Sequence, residues 1–303
     1  MILIDFSNIA ISNFMVHHSQ SKGNVSGMIL RHMILNSIRK SIRQFKHTHI
    51  NGGVWICCDN GSWRKDFFPL YKANRKKDEK IDWIFYKKVV DEFRQELQEY
   101  FPVRVISYPK AEADDVIATM VKTYKNRYPI MILSGDKDFL QLHNSSTKQY
   151  APVLEKFVTV ECPTKFLLEK ICQGDSGDGV TNIRSDADTL VTEGKRQLPV
   201  SQKNLQDWIT RKPEDFCDPK MLENWKRNKV LVDLLTCIPQ EIEDGVLNLA
   251  SAEFTRKIPG PGDTQRYLIK NKMVVLMEGL EDFCFDDHID LTDSTTPASF
   301  DTL

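Results

Sequence analysis

The sequence predicts an α/β fold: a central, mainly parallel sheet with helices on both faces, followed by a helical C-terminal region. Three observations carry this reading. Short apolar runs rich in β-branched residues recur, amphipathic helical patterns lie between them, and from about residue 163 the pattern turns helical. Near-continuous hydrophobicity within each run marks strands covered on both sides, as in parallel sheets, and the alternation with helices marks crossover connections.

The first run, ILIDF (2–6), opens the chain. The surrounding MILIDFSNIA has no basic region and no cleavage site, so it reads as a strand and not a signal peptide. SGMILRHMILNSIRKSIRQF (26–45) then places Ile29, Met33, Ile34, Ile38 and Ile42 on one helical stripe. GVWICCDN (53–60) is the second strand, and its Cys57 and Cys58 read as buried, reduced thiols. The 7 cysteines lack CxxC spacing, which suits a reducing cytosol better than disulfides or zinc. VRVISY (103–108) is the third strand, and EADDVIATMVKTY (112–124) is a helix with Val116, Ile117, Met120, Val121 and Tyr124 on its stripe. IMILSGD (130–136) is the fourth strand, and TKQYAP and KFVTVE, within 147–161, read as an added edge hairpin. Residues 1–162 therefore form an α/β domain that carries a basic segment at 61–90. A helical region spans 163–286, and the acidic, weakly apolar stretch 287–303 is expected to be a mobile tail.

At 303 residues the chain can bury a large core as one domain or two. The net charge of −1 means that any nucleic-acid footprint is local. No run approaches the roughly 18 apolar residues of a membrane span.

Carboxylates collect where the runs end. Asp5 ends the first strand, Asp59 the second, and Asp136 and Asp138 follow the fourth. In open α/β sheets ligands bind beyond the carboxyl ends of the strands, so these acids address one crevice. Glu112, Asp114 and Asp115 open the helix after the third strand, and Asp175 and Asp178 stand three apart in the Gly-rich stretch QGDSGDGV. Each group alone has a plain alternative: Asp and Glu cap helix first turns, and GDSGDG suits a solvated turn. Jointly they form a cluster whose like charges cost several kcal/mol unless cations stand among them. The same segments offer no equal set of bases. Oxygen-only donors suit Mg²⁺ or Mn²⁺ and not zinc, and many acids around such ions are the setting for two-metal phosphoryl chemistry.

A basic counterweight follows the second strand directly. GSWRKDFFPLYKANRKKDEKIDWIFYKK (61–88) carries Arg64, Lys65, Lys72, Arg75, Lys76 and Lys77 among Trp63, Tyr71, Trp83 and other aromatic residues. Basic groups suit phosphates and aromatic rings suit unpaired bases; the plain alternative is a solvated helix face. Lys72 and Arg75, three apart, are expected to reach one phosphate from a single helical face.

The order DFSN, CDN, WRKDF, YKANR, EADDVIA, SGDKDFLQL and GDSGD resembles the 5′-nuclease (flap endonuclease) family, in particular its T-even phage replication branch. The likeness covers residues 1 to about 200 closely and the helical remainder more loosely. It implies a metal-dependent 5′→3′ exonuclease and flap endonuclease that acts on DNA and RNA–DNA duplexes and removes RNA primers during phage DNA replication in the host cytoplasm. It also implies roles for individual residues. Asp5, Asp59, Asp115 and Asp136 resemble the ligands of a first Mg²⁺, with Glu112 and Asp114 nearby. Asp138, Asp175 and Asp178 resemble a second-ion group, partly acting through water, and Mn²⁺ is expected to substitute. Lys72 and Arg75 match a pair that grips the scissile phosphate, Tyr71 matches a residue that stacks on a terminal base, and Arg64, Lys65, Lys76 and Lys77 are expected on nucleic acid. A single-stranded-DNA-binding protein and a sliding clamp are implied partners, the tail with Phe300 is a candidate dock, and the enzyme is expected to be a monomer with no membrane contact. The chain departs from the family where Gly179 replaces the usual Asn and VTNIRSDADTL lacks the Gly-x-Gly of a helix–turn–helix, so that motif is expected only in approximate form. Two other enzyme classes compete, a haloacid-dehalogenase-type phosphatase and a PIN-type ribonuclease. The first wants an Asp where Ser7 stands, and the second is usually far shorter. A structure-specific DNA-binding protein with silent acids is the non-enzymatic alternative.

Overall fold

In the computed structural model, which describes residues 1–284, the four apolar runs become the strands of one sheet. In chain order, β1 (Ile2–Asp5) leads into α1 (Phe6–Gln20) and α2 (Gly27–His49), then β2 (Val54–Cys57), the short α3 (Arg64–Phe67) and α4 (Trp83–Tyr100). β3 (Arg104–Ile106), α5 (Ala113–Tyr124), β4 (Ile130–Leu133), β5 (Thr147–Ala151) and β6 (Lys156–Val158) complete the sheet. α6 (Pro163–Gln173), α7 (Gln202–Trp208), α8 (Pro219–Val232), α9 (Gln240–Thr255), α10 (Pro261–Lys270) and α11 (Val274–Met277) follow.

The strand order is β3-β2-β1-β4-β5-β6, parallel except for β6, which pairs antiparallel with β5 as the expected edge hairpin. Every residue of β1, β2 and β4 is buried, because both faces are covered. Successive side chains leave a strand on opposite sides. Ile2, Ile4, Val54, Ile56, Met131 and Leu133 pack under α1, α2 and α4, while Leu3, Trp55, Cys57, Ile130 and Ile132 pack under α5 and α9. Each fully buried aliphatic side chain contributes about 1.5–3 kcal/mol, so this two-faced core anchors the strand ends. Chain order reverses across β1 and β4: β2 and β3 lie to one side, β5 to the other. The crevice at such a switch is the ligand-binding place of this architecture.

Several expectations need correction. The stripe of α2 is Leu30, Ile34, Leu35, Ile38, Ile42 and Phe45, while Ile29 is exposed, because α2 packs against α1 and the sheet together and turns its face by one residue. The helix–turn–helix expected after Asp178 does not form: residues 179–201 are irregular and separate α6 from α7. Asn182 explains part of this, accepting from the Arg184 amide and the Ser185 hydroxyl and so drawing local hydrogen bonds away from a helix. No helix of the described residues is long and apolar enough to cross a membrane. The expected tail at 287–303, with its docking role, lies outside the described residues.

Candidate metal centre and the basic segment beside it

Asp5 ends β1, and Asp136 lies just beyond β4, the two strands that flank the switch. Asp5 Oδ1 accepts from the Asn8 amide at 3.0 Å, which caps α1, and Oδ2 accepts from the Ser134 hydroxyl at 2.8 Å. Ser134 Oγ in turn accepts from the Asp136 amide at 3.0 Å, so one hydroxyl ties the two strand ends together. Asn8 Oδ1 takes the Gly135 amide at 3.1 Å, and the buried Gln149 amide donates to the carbonyls of Ser134 and Asp136. Asp136 Oδ1 accepts from the Asp138 amide at 2.9 Å, and Asp59 Oδ1 from the Ala113 amide at 2.7 Å. These partners are amides and a hydroxyl, which aim the carboxylates without neutralising them.

The electrostatics follow. Burial lifts Asp5 to about 7 against the pull of the Asn8 amide, and the charges of Asp59 and Asp136 add to the rise. Asp114 is pushed well above the usual carboxylate range, first by burial and then by Asp136, Asp5, Asp138 and Glu112. Residues more than 130 positions apart in sequence thus share one acid edge.

A second group adjoins it. One carboxylate oxygen each from Asp138, Asp175 and Asp178 lies within 4.8 Å of the others. Asp175 follows α6 directly after Gly174, whose φ of +70° and close approach to the Val180 and Thr181 carbonyls exclude a side chain. Asp175 Oδ1 accepts from the Asp178 amide at 3.1 Å, folding the loop onto itself. Lys170 reaches in from α6, bonding Asp138 and lying 2.8 Å from Asp175 Oδ2. Burial raises Asp138 to about 6 although Lys170 pulls the other way. At Asp175 burial also raises, but Lys170 outweighs it and the net shift is downward.

The basic segment departs most from expectation. Arg64 is 2% exposed and does not face solvent or nucleic acid. Its guanidinium holds Asp115 through two bonds, at 2.8 and 3.0 Å, and also donates to Glu112 and to the Leu231 carbonyl. Asp115 is correspondingly withdrawn from the cleft, 0% exposed with both oxygens committed and the Glu112 amide bonded to it besides. One residue along the helix turns the direction by about 100°, and Asp114 is the acid surrounded by the others. Tyr71 is 3% exposed, so its ring offers no stacking surface; its hydroxyl lies 3.0 Å from Glu112 Oε2 and 2.8 Å from Asp178 Oδ2.

Lys72 and Arg75 do not share a helical face. Lys72 sits in a turn with φ +59°, its amide bonded to the Asp178 carbonyl at 2.7 Å. Its ammonium pairs with Glu112 and lies 3.8 Å from Asp178 Oδ2. Arg75, half exposed, donates to Asp178 Oδ1 at 2.6 Å and to the Gly177 carbonyl at 2.9 Å. The YKANR segment therefore clasps the GDSGDG loop, while Lys65, Lys76 and Lys77 project to solvent. Bases do stand among the acids, contrary to expectation: Lys170, Lys72, Arg75 and Arg64 hold Asp138, Asp175, Asp178, Glu112 and Asp115. Sequence reasoning missed Lys170, Ser134, Asn8 and Gln149. The Ser of SGD and the Asn of DFSN lie inside recognisable motifs, whereas nothing local signals Lys170 or Gln149.

Comparison with known proteins fits this geometry. Residues 1–170 match the model of the 5′-3′ exonuclease N-terminal resolvase-like domain, and residues 162–283 match that of the T4 RNase H C-terminal domain. Ribonuclease H of Enterobacteria phage T4 is 31% identical over 296 residues, covering 93% of this chain and 95% of the relative. The chain belongs to the 5′–3′ exonuclease family. Within this family, the flap endonuclease Xni of Shewanella baltica (strain OS223) is 29% identical over 230 residues, 70% of this chain and 82% of that one. The fold is that of the bacteriophage T5 D15 flap endonuclease, crystallised as a pseudo-enzyme–product complex with DNA and metal ions, with a TM-score of 0.57 at 18% identity over 82% of this chain and 98% of that one. This chain is thus a 5′-nuclease, of a metal-dependent family, with an acidic cluster able to hold a metal ion.

Proposed function

We propose that this 5′-nuclease is a 5′→3′ exonuclease and 5′-flap endonuclease that hydrolyses DNA and RNA–DNA duplexes using two Mg²⁺ ions, and that it removes lagging-strand RNA primers in phage DNA replication. The observation that carries the reading is the convergence of Asp138, Asp175 and Asp178 within 4.8 Å beside the acid edge of Asp5 and Asp136. The donor set is wholly carboxylate oxygen, the fit expected for Mg²⁺ or Mn²⁺. Asp5, Asp59, Asp114 and Asp136, with Glu112 at the margin, would hold the first ion, and Asp138, Asp175 and Asp178 the second. Bound there, the ions would supply charge neutralisation at the scissile phosphate and Lewis-acid activation of water.

The chain's own groups do the rest. Ser134, Asn8 and Gln149 fix the strand ends, so Asp5 and Asp136 keep their spacing when substrate arrives. Lys72 and Arg75 stand at the rim and offer their donors to the phosphoryl oxygens, where charge develops. Lys65, Lys76 and Lys77 attract the backbone of the unpaired 5′ strand. The products carry 5′-phosphate and 3′-hydroxyl ends. A monomer acting in the host cytoplasm, aided by a single-stranded-DNA-binding protein and a sliding clamp, is the setting this reading implies. The experiment is release of labelled 5′ ends from a flap duplex and from an RNA-primed duplex, with Mg²⁺ and with EDTA. Release in Mg²⁺ alone, leaving 3′-hydroxyl ends, is expected; binding without release in either condition would make the chain a DNA-binding protein instead.

A further inference from the structure

Among the described residues, Lys170 is the base placed inside the second acidic group and not at its rim: its side chain is 9% exposed, and its ammonium stands between Asp138 and Asp175. Those two carboxylates, with Asp178, place oxygens within 4.8 Å of one another, a span that one divalent ion can bridge. An ion at that position and the Lys170 ammonium need the same lone pairs, and their like charges repel at a few ångströms. The first acidic group differs, since Asp5, Asp59 and Asp136 bond to amides and a hydroxyl. A cavity of about 540 Å³ opens beside Lys170, lined by Asp138, Phe166, Glu169, Gln173 and Asp175, and gives the flexible lysine stem room to withdraw.

We propose that Lys170 is a built-in counter-cation of the second acidic group, so that a second divalent ion must displace its ammonium from Asp138 and Asp175, whereas the first ion meets Asp5, Asp59 and Asp136 bonded to amides and a hydroxyl. Lys170 is a positioning residue in this account. In the ion-poor protein it keeps the mutually repelling Asp138 and Asp175 carboxylates together, while Arg75 and Lys72 hold Asp178, and in exchange it weakens the second ion relative to the first. Methionine matches the lysine stem in length without its charge, and arginine keeps the charge, so the two separate packing from electrostatics.

The inference rests on the two-ion reading, and the test tells the two apart. Mn²⁺ is titrated into the metal-stripped full chain without nucleic acid, and free Mn²⁺ is read by electron paramagnetic resonance. The wild type is expected to bind two ions with unequal affinity. In Lys170→Met the weaker site should tighten by about tenfold or more, with the stronger site unchanged, and in Lys170→Arg the weaker site should stay weak. Lys170→Gln serves the same purpose should the Met variant not fold. Two ions in the wild type with an unchanged or weakened second site in the Met or Gln variant would overturn the role of Lys170 alone. A single ion in every variant would overturn the two-ion reading and this role together.

Discussion

At the amino ends of the parallel strands the buried Met1 amine donates to the Pro129 carbonyl at 2.7 Å, and burial lowers it to about 4. His49, 4% exposed at the same end, is likewise lowered to about 4, chiefly by burial and then by the nearby amino terminus. At the carboxyl ends, one strand length away, burial lifts Asp5 to about 7 and Asp114 well above its usual range. Both edges bury ionisable groups, yet they resolve the cost differently. A buried base sheds its proton and leaves a neutral, sealed edge, where Gly52 packs so tightly that an added Cβ would stand 2.6 Å from Met1. Crowded acids can lose charge only by taking up protons, which is the direction in which Asp5 and Asp114 are pushed, and each charge that remains raises its neighbours. That edge needs positive charge from outside its own strands, and the fold supplies part of it from Lys170, Lys72 and Arg75. The amino edge completes a core; the carboxyl edge is arranged for a cationic ligand.

The comparison breaks first at Asp136. Asp136→Asn removes one charge from the acid edge and keeps the side-chain shape, so cleavage of a 5′-flap duplex in Mg²⁺ should fall about a thousandfold or more, the worth of several kcal/mol of lost charge stabilisation. The melting temperature in EDTA should hold or rise, because repulsion is relieved. Near-normal single-turnover rates would remove Asp136 from the chemistry.

Arg64 tests the other half of the contrast, that some bases near the acids serve the core. Arg64→Met leaves Asp115 and Glu112 buried without their partner and should cost about 3–5 kcal/mol in urea unfolding. Adding Asp115→Asn should recover part of that loss. A loss under about 1 kcal/mol would mean that the pair is solvent-accessible after all.

How far the sequence revealed these edges depends on the range of the interaction involved. β1, β2 and β4 were legible because two covered faces demand unbroken apolar runs, and Asp5, Asp59 and Asp136 were legible because they punctuate those runs. The choice between Asp114 and Asp115 was not, since it turns on Arg64, about fifty residues away, claiming Asp115 through the fold. The same holds for the 70–75 segment. Its spacing suggested a helix, but Pro69 and the bond from the Lys72 amide to the Asp178 carbonyl hold a turn there. Tyr71, aromatic and beside bases, had the look of a stacking surface; its hydroxyl instead bridges Glu112 and Asp178.

Lys72 separates rim from core. It is partly exposed and pairs with Glu112, so Lys72→Ala should slow single-turnover cleavage by about a hundredfold, the scale for one donor at developing charge. Its folding should be retained, unlike that of the Arg64 variant. An unchanged rate would confine Lys72 to holding the loop at Asp178.

The smallest effect probes the sealed amino edge. His49 has a folded value of about 4 against an unfolded value near 6.5. The neutral ring is the one the fold accepts, so its contribution is fully present above about 6.5 and is lost as pH falls through about 4, where the unfolded chain gains a proton that the folded chain refuses. Over that window it amounts to at most about 3 kcal/mol, because each tenfold change in proton affinity is worth about 1.4 kcal/mol. His49→Gln removes the titration and keeps a side chain able to hydrogen-bond, so the drop in unfolding free energy between about pH 7 and about pH 4.5 should be shallower in the variant than in the wild type. The acid-edge carboxylates are common to both proteins and cancel in the difference. Parallel pH profiles would mean that His49 is protonated in place, and that the amino edge, like the carboxyl edge, carries charge.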